Sequence, residues 1–204
     1  MEYYMLNKPS GCITARRDPR HKTVMDLFPE EKRDLLFPVG RLDRDTEGLL
    51  LVTDDGALCA RLLSPENGVP KTYFFYALGN LSDERKADIE QGIKLYPTRE
   101  ERSAPAVVIL GEPTTLGAIK HLLSPVDLKR ANRRPETAVI SGTVTVTEGK
   151  KHEVKRLLLY ADCRIVYLKR LSMGALSLDP QLPRGCYRPL TSNELKAIKE
   201  PVAD

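Results

Sequence analysis

Arg41-Leu42-Asp43-Arg44-Asp45-Thr46-Glu47-Gly48-Leu49-Leu50-Leu51-Val52-Thr53 joins the most conspicuously charged stretch of this chain to one of its longest apolar runs. Residues 49–53 have the length and apolar continuity of a strand buried on both faces. The residues before them follow a Pro38-Val39-Gly40 break and alternate arginine with acid, so they read as a loop running straight into that strand. A carboxylate flanked by arginines, exposed at the end of a rigid element, suits a reacting group. Two other readings compete. One is an ordinary surface ion-pair loop, which contributes little. The other is a calcium-binding loop, because Asp43-x-Asp45-x-Glu47-Gly48 with Asp54 at position twelve imitates an EF-hand. That loop needs a helix on each side; Pro38, Gly40 and the strand character of residues 49–52 oppose it.

Outward from this stretch, residues 3–7 predict a strand broken by Lys8-Pro9-Ser10-Gly11, and residues 23–28 a short helix stopped by Pro29. A turn at Asp54-Asp55-Gly56 opens a helix through Leu58, Leu62 and Leu63. Residues 71–78 and 106–110 read as strands, and residues 138–147 as a third, with Val144 and Val146 sharing one side. Ser82 caps a helix whose apolar residues Ile89 and Ile93 lie four apart, with Gly92 marking its fraying end. Residues 121–135 read as a helix end and a loop. Val154, Leu157 and Leu158 make residues 152–160 an amphipathic helix. Strands follow around Gly174, and Thr191-Ser192-Asn193-Glu194 is a capping box opening the last helix. Strands outnumber helices and do not alternate with them, so the fold class is α+β: a mostly antiparallel mixed sheet flanked by helices, not a doubly wound parallel sheet.

The 204 residues suffice for one domain, and 41% hydrophobic composition supports a core without staples. Cys12, Cys59, Cys163 and Cys186 lie far apart, which suggests neither a zinc site nor a disulfide framework and fits a reducing cytoplasm. The start of the chain lacks the pattern of an export signal, and no apolar run is long enough to cross a bilayer.

Net charge is only +4, but its distribution is uneven. Residues 14–22 contain Arg16, Arg17, Arg20 and Lys22; residues 129–134 contain Lys129, Arg130, Arg133 and Arg134; residues 148–156 contain Lys150, Lys151, Lys155 and Arg156. These segments together carry more positive charge than the whole chain, so the remainder is net acidic. Basic residues gathered this way are the footprint of a polyanion groove, although any one cluster taken singly is equally a solvated loop. The glycine turn at Gly149 precedes a helix N-terminus, where amides and basic side chains can meet an anion. Basic residues on that helix can also hold a carboxylate ionised. His152 has no second His or Cys at ligand spacing and reads as a packing or hydrogen-bonding residue. Tyr73, in an apolar strand, reads as core on pattern alone.

Four motifs in order span nearly the whole chain. They are Tyr4-x-Leu6-Asn7-Lys8-Pro9-x-Gly11, the run from Gly40 through Asp43 to Gly56, Lys71-Thr72-Tyr73, and Glu148-Gly149-Lys150-Lys151-His152-Glu153-Val154-Lys155-Arg156. Together they resemble the RsuA-like pseudouridine synthases of bacterial ribosomal RNA, and the tail Gly185-Cys186-Tyr187-Arg188-Pro189-Leu190-Thr191 resembles that family too. The resemblance implies one catalytic domain over residues 1–204, with two lobes around a central cleft. It implies a monomer that modifies ribosomal RNA in the cytoplasm, with no membrane partner, no metal and no cofactor. It also implies site roles. Asp43 matches the catalytic aspartate, acting as nucleophile or general base on a flipped uridine. Tyr73 matches the tyrosine that stacks on the uracil, Lys155 the basic partner of the aspartate, and Arg41 the arginine that fills the gap left by the extruded base. Arg44, Arg16, Arg17, Lys129, Arg130, Arg133, Arg134, Lys150, Lys151 and Arg156 are the expected RNA contacts. There are two departures from the family pattern. The small S4-type RNA-binding domain common ahead of the first motif is expected to be lacking, which leaves docking to the basic segments. Glu153 stands where glutamine is usual, which would bring a negative charge close to the groove. The ending slightly favours small-subunit over large-subunit RNA. The rival from another class is a non-catalytic RNA-binding or ribosome-assembly module on the same fold.

Overall fold

In chain order the elements are β1 (Tyr3–Lys8), α1 (Glu30–Arg33), β2 (Phe37–Pro38), β3 (Glu47–Thr53), α2 (Gly56–Leu63), β4 (Lys71–Leu78), α3 (Asp83–Gln91) and β5 (Val107–Leu110). They continue with β6 (Thr114–Thr115), α4 (Pro125–Ala131), β7 (Ala138–Val146), α5 (Glu153–Tyr160), β8 (Arg164–Met173), β9 (Leu176–Ser177), β10 (Tyr187–Pro189) and α6 (Ser192–Lys199). The computed structural model describes residues 1–96, 98–131 and 133–200. The chain divides into two compact units, Met1–Lys71 with the chain from Lys169 onward, and Thr72–Leu168.

In the first unit the strand order is β10-β1-β3-β8, with β2 beside β3 and β9 beside β8. The pairing is antiparallel, from Tyr3↔Thr53 to Lys8↔Gly48 between β1 and β3, except that β3 meets β8 in parallel at Glu47↔Lys169 and Gly48↔Arg170. Every residue of β3 is buried, as its unbroken apolar run requires. Gly48 has φ +99°, and a Cβ there would lie 2.2 Å from the Arg170 carbonyl oxygen, so only glycine lets the charged loop enter the sheet at this point. Met5, Leu49, Leu51, Leu58, Met173 and Ile198 form the core. Asp55 opens α2 by accepting the Leu58 amide at 2.9 Å, and it also accepts the Tyr3 hydroxyl at 2.8 Å. The capping box at α6 is formed: Thr191 accepts the Glu194 amide, and Glu194 accepts the Thr191 amide at 2.8 Å. Thr191→Ala is expected to cost about 1 kcal/mol in thermal or urea unfolding, and an unchanged midpoint would refute that role.

The second unit orders its strands β8-β4-β7-β5, with β6 against β7. Alternation along β4 separates two cores. Phe75 and Ala77 pack with Val144, Val146, Leu157 and Leu158, while Phe74, Tyr76 and Leu78 pack against a cluster that holds Val139 and Tyr167. Ile89 of α3 and Leu157 of α5 cover the first face, and Ala131 and Leu128 of α4 contribute to the second.

The α+β architecture agrees with the pattern, and the elements the pattern hid have local causes. The seven residues of α4 are too few to show an apolar period; Ser124 holds the first turn through the Asp127 amide at 3.1 Å. Pro29, read as a stop, precedes α1 directly, because a proline ahead of the first turn has no amide to lose. Residues 153–160 form the expected helix, and His152 stands exposed with φ +55° at its N-cap. The calcium-loop reading of residues 43–54 is overturned, because residues 47–53 of it form β3 and the element before it is β2, not a helix. Among the described residues no helix is long and apolar enough to cross a membrane.

Candidate active site

Asp43 sits half-buried on the loop between β2 and β3, and the backbone on both sides of it is clamped. On one side, the Thr14 hydroxyl donates to the Leu42 carbonyl at 2.9 Å, and the Leu42 amide lies 3.1 Å from the same hydroxyl oxygen. On the other, the Arg44 carbonyl accepts the Gly11 amide at 2.8 Å, while Arg44 Nε donates to the Gly11 carbonyl at 3.2 Å. The Thr46 amide closes a turn on the Asp43 carbonyl at 3.1 Å.

Beneath this loop lies Lys8, 0% exposed at the end of β1. Its ammonium donates to the carbonyls of Thr46 at 2.8 Å, Pro9 at 3.0 Å and Arg44 at 3.3 Å. Burial lowers its pKa, and Cys12, Asp45, Glu47 and Asp43 oppose that shift. Lys8 thus ties the first motif to the second, a role the sequence reading did not assign. The available signal was a lysine ending an otherwise apolar strand just before Pro-x-Gly. Glu47 is also buried and pairs with Arg184 at 3.1 Å.

Arg41 and Arg44 of the same loop are exposed. Arg16 and Arg17 are exposed as well and converge on Asp34, Arg16 through its carbonyl at 2.6 Å and Arg17 through an ion pair.

In the second unit Tyr73 is half-buried and extends the row of Phe75 and Ala77, resting against their cluster at the start of β4. Lys155 is half-buried on α5, whose Val154, Leu157 and Leu158 face the core. Lys151, Lys129, Arg133 and Arg134 are exposed; the Arg130 side chain lies outside the described residues. Two basic residues are engaged within the unit. Arg156 stacks over Tyr96, 3.9 Å from the ring centroid, and Lys150 reaches Glu148 at 3.1 Å, Glu101 at 3.3 Å and the Arg102 carbonyl at 2.5 Å.

Glu153 requires a correction. It does not add negative charge near a groove: it is 5% exposed and accepts the Lys150 amide at 3.2 Å. Burial, then the Glu148 carboxylate, pushes its pKa up to about 8, so it is mostly neutral at pH 7.

A family model described as RNA pseudouridylate synthase matches residues 2–160. An uncharacterized RNA pseudouridine synthase of Bacillus subtilis (strain 168), YtzG, is 42% identical over 202 residues, covering 98% of this chain and 74% of that protein. The ribosomal small subunit pseudouridine synthase A of Pseudomonas aeruginosa is 37% identical over 196 residues, covering 96% of this chain and 74% of that protein. A solved structure titled as a pseudouridylate synthase superposes with a TM-score of 0.78 at 30% identity, covering 97% of this chain and 73% of that one. The human RNA pseudouridylate synthase domain containing 1 shares the fold, with a TM-score of 0.56 at 14% identity, covering 100% of this chain and 94% of that one.

Proposed function

Because this chain belongs to the RNA pseudouridylate synthase family, in its RsuA-like branch, and is an isomerase, we propose that its substrate is one particular uridine of small-subunit ribosomal RNA. The choice of subunit is supported by a relative named for the small subunit that is 37% identical. The observation that carries the catalytic assignment is the loop of residues 39–46, whose backbone is fixed on both sides of a half-buried Asp43. Such preorganisation is what a group that must meet one atom of a flipped base requires.

In this reading Asp43 attends the uridine while its N1–C1′ bond breaks. The base turns and rejoins the sugar through C5; the C5 proton leaves to solvent and N1 takes up a proton, so composition is unchanged. Tyr73 offers a ring for the uracil to stack on, Lys155 supplies the cation paired with the aspartate, and Arg41 takes the place of the extruded base. Arg16, Arg17, Arg44, Lys129, Arg133, Arg134 and Lys151, all exposed, meet the phosphates. The protein acts as a monomer in the cytoplasm.

The test uses ribosomal RNA tritiated at uridine C5, presented free, partly assembled and in whole subunits. Release of label to water from small-subunit RNA is expected. Release confined to large-subunit RNA would overturn the choice of subunit, and salt-sensitive binding without release from any substrate would leave a non-catalytic binding module instead.

A further inference from the structure

The turn between β7 and α5 is closed by two acidic residues where simple charge counting expects repulsion. Glu148, in the turn that follows β7, accepts the Ala104 amide at 2.7 Å and pairs with Lys150 through its second oxygen at 3.1 Å. Glu153, the first residue of α5, accepts the Lys150 amide on Oε2 at 3.2 Å. Its Oε1 is buried and meets no donor among the described residues, and Glu148 is the acidic group that acts on this carboxyl. Two carboxyl groups that both engage Lys150, one of them buried with an oxygen that no donor serves, are satisfied when a proton lies between them.

We propose that Glu153 is a positioning residue: bridged to Glu148 by a shared proton, it clasps the turn that opens α5 and so sets the orientation of the helix that carries Lys155. This rests on the reading of Lys155 as part of the catalytic machinery. The protonated carboxyl does here what the amide of a glutamine would do, donating to Glu148 without adding charge, with the difference that a carboxyl can lose its donor. The groups facing Glu153 are Glu148 and Lys150 from the turn, with Glu101 reaching the cluster through Lys150. Lys151, His152, Lys155 and Arg156 are its neighbours along the chain. The balance favours the proton below pH 8: burial acts first, Glu148 adds to it, and Lys150 opposes both.

The sign of the pH dependence follows. A carboxyl whose folded pKa lies above its ordinary 4.5 binds its proton more tightly in the native state, so its contribution to stability is complete below pH 4.5 and is lost progressively as pH rises to about 8. Glu153→Gln removes that loss and keeps the donor. The experiment compares wild type and Glu153→Gln between pH 5 and 9.5 by thermal melting, by amide hydrogen exchange across residues 150–156, and by kcat and KM for isomerisation. The variant is expected to gain in melting temperature relative to wild type as pH rises. Wild type alone is expected to lose exchange protection in residues 150–156 above pH 8, and several-fold in kcat with KM little moved.

Superimposable melting profiles would overturn the shared proton. Diverging melting profiles with coincident exchange and kcat profiles would overturn the positioning role. If no RNA is isomerised under any condition, the functional reading fails, while melting and exchange still decide the clasp.

Discussion

Asp43→Asn is expected to lower kcat for isomerisation about 10³-fold or more, with RNA affinity within about twofold of wild type. Asparagine matches aspartate in size, and the bonds that shape the loop are made by the backbone of Leu42, Arg44 and Thr46, to Thr14, Gly11 and Lys8. The substitution should therefore remove the carboxylate and leave the scaffold. An amide is a poor nucleophile toward carbon and a poor base, and it does not stabilise a cationic sugar. Phosphate contacts from the exposed arginines and lysines are untouched, so binding persists and its salt dependence is unchanged. Rate is read from tritium release under single-turnover conditions, affinity from filter binding, and integrity from thermal melting. Activity within tenfold of wild type, in a variant that melts normally, would remove Asp43 from the chemistry.

What was legible in the sequence were the features with a local signature. The apolar run of residues 49–53 lies in a fully buried strand, the alternation of Val144 and Val146 aligns them on one core face, and the capping boxes and cap residues at Thr191, Ser82 and Asp55 start their helices. Sites built by long-range contacts were not legible. Lys8 belongs by position to a strand end and by pattern to a polar turn; only folding shows it sealed beneath residues 44–46, more than 35 positions away. Glu153 shows the opposite failure, since its type announces a charge and its burial against Glu148 removes it. The very short strands β2, β6 and β10 exist because a neighbour pairs with them, and no property of two or three residues signals that. A charge cluster does not show which of its members are also held within the protein. Lys150 and Arg156 belong to a basic segment, yet each is engaged within its own unit.

Lys8→Met is expected to lower stability by about 3 kcal/mol and kcat by about 10²-fold. Two effects oppose each other. Burial lowers the Lys8 pKa, which means that holding an ammonium at 0% exposure costs stability at neutral pH; methionine relieves this cost with a side chain of similar length. Against that, the carbonyl of Thr46, in a buried place, and those of Pro9 and Arg44, in part-buried ones, lose a charged donor, at about 1 to 3 kcal/mol each. The buried carboxylate of Glu47 and the half-buried ones of Asp43 and Asp45 also lose a nearby positive charge. Three lost acceptor contacts outweigh one relieved desolvation, so the net sign is destabilising. The damage to kcat follows from where those carbonyls lie, because Arg44 and Thr46 fix the chain just after Asp43, and a shift of about 1 Å there misaligns the carboxylate. Urea unfolding gives the stability change, and single-turnover tritium release gives the rate at a temperature where the variant is fully folded. A variant within about 0.5 kcal/mol and twofold of wild type would show that the loop holds its shape without Lys8.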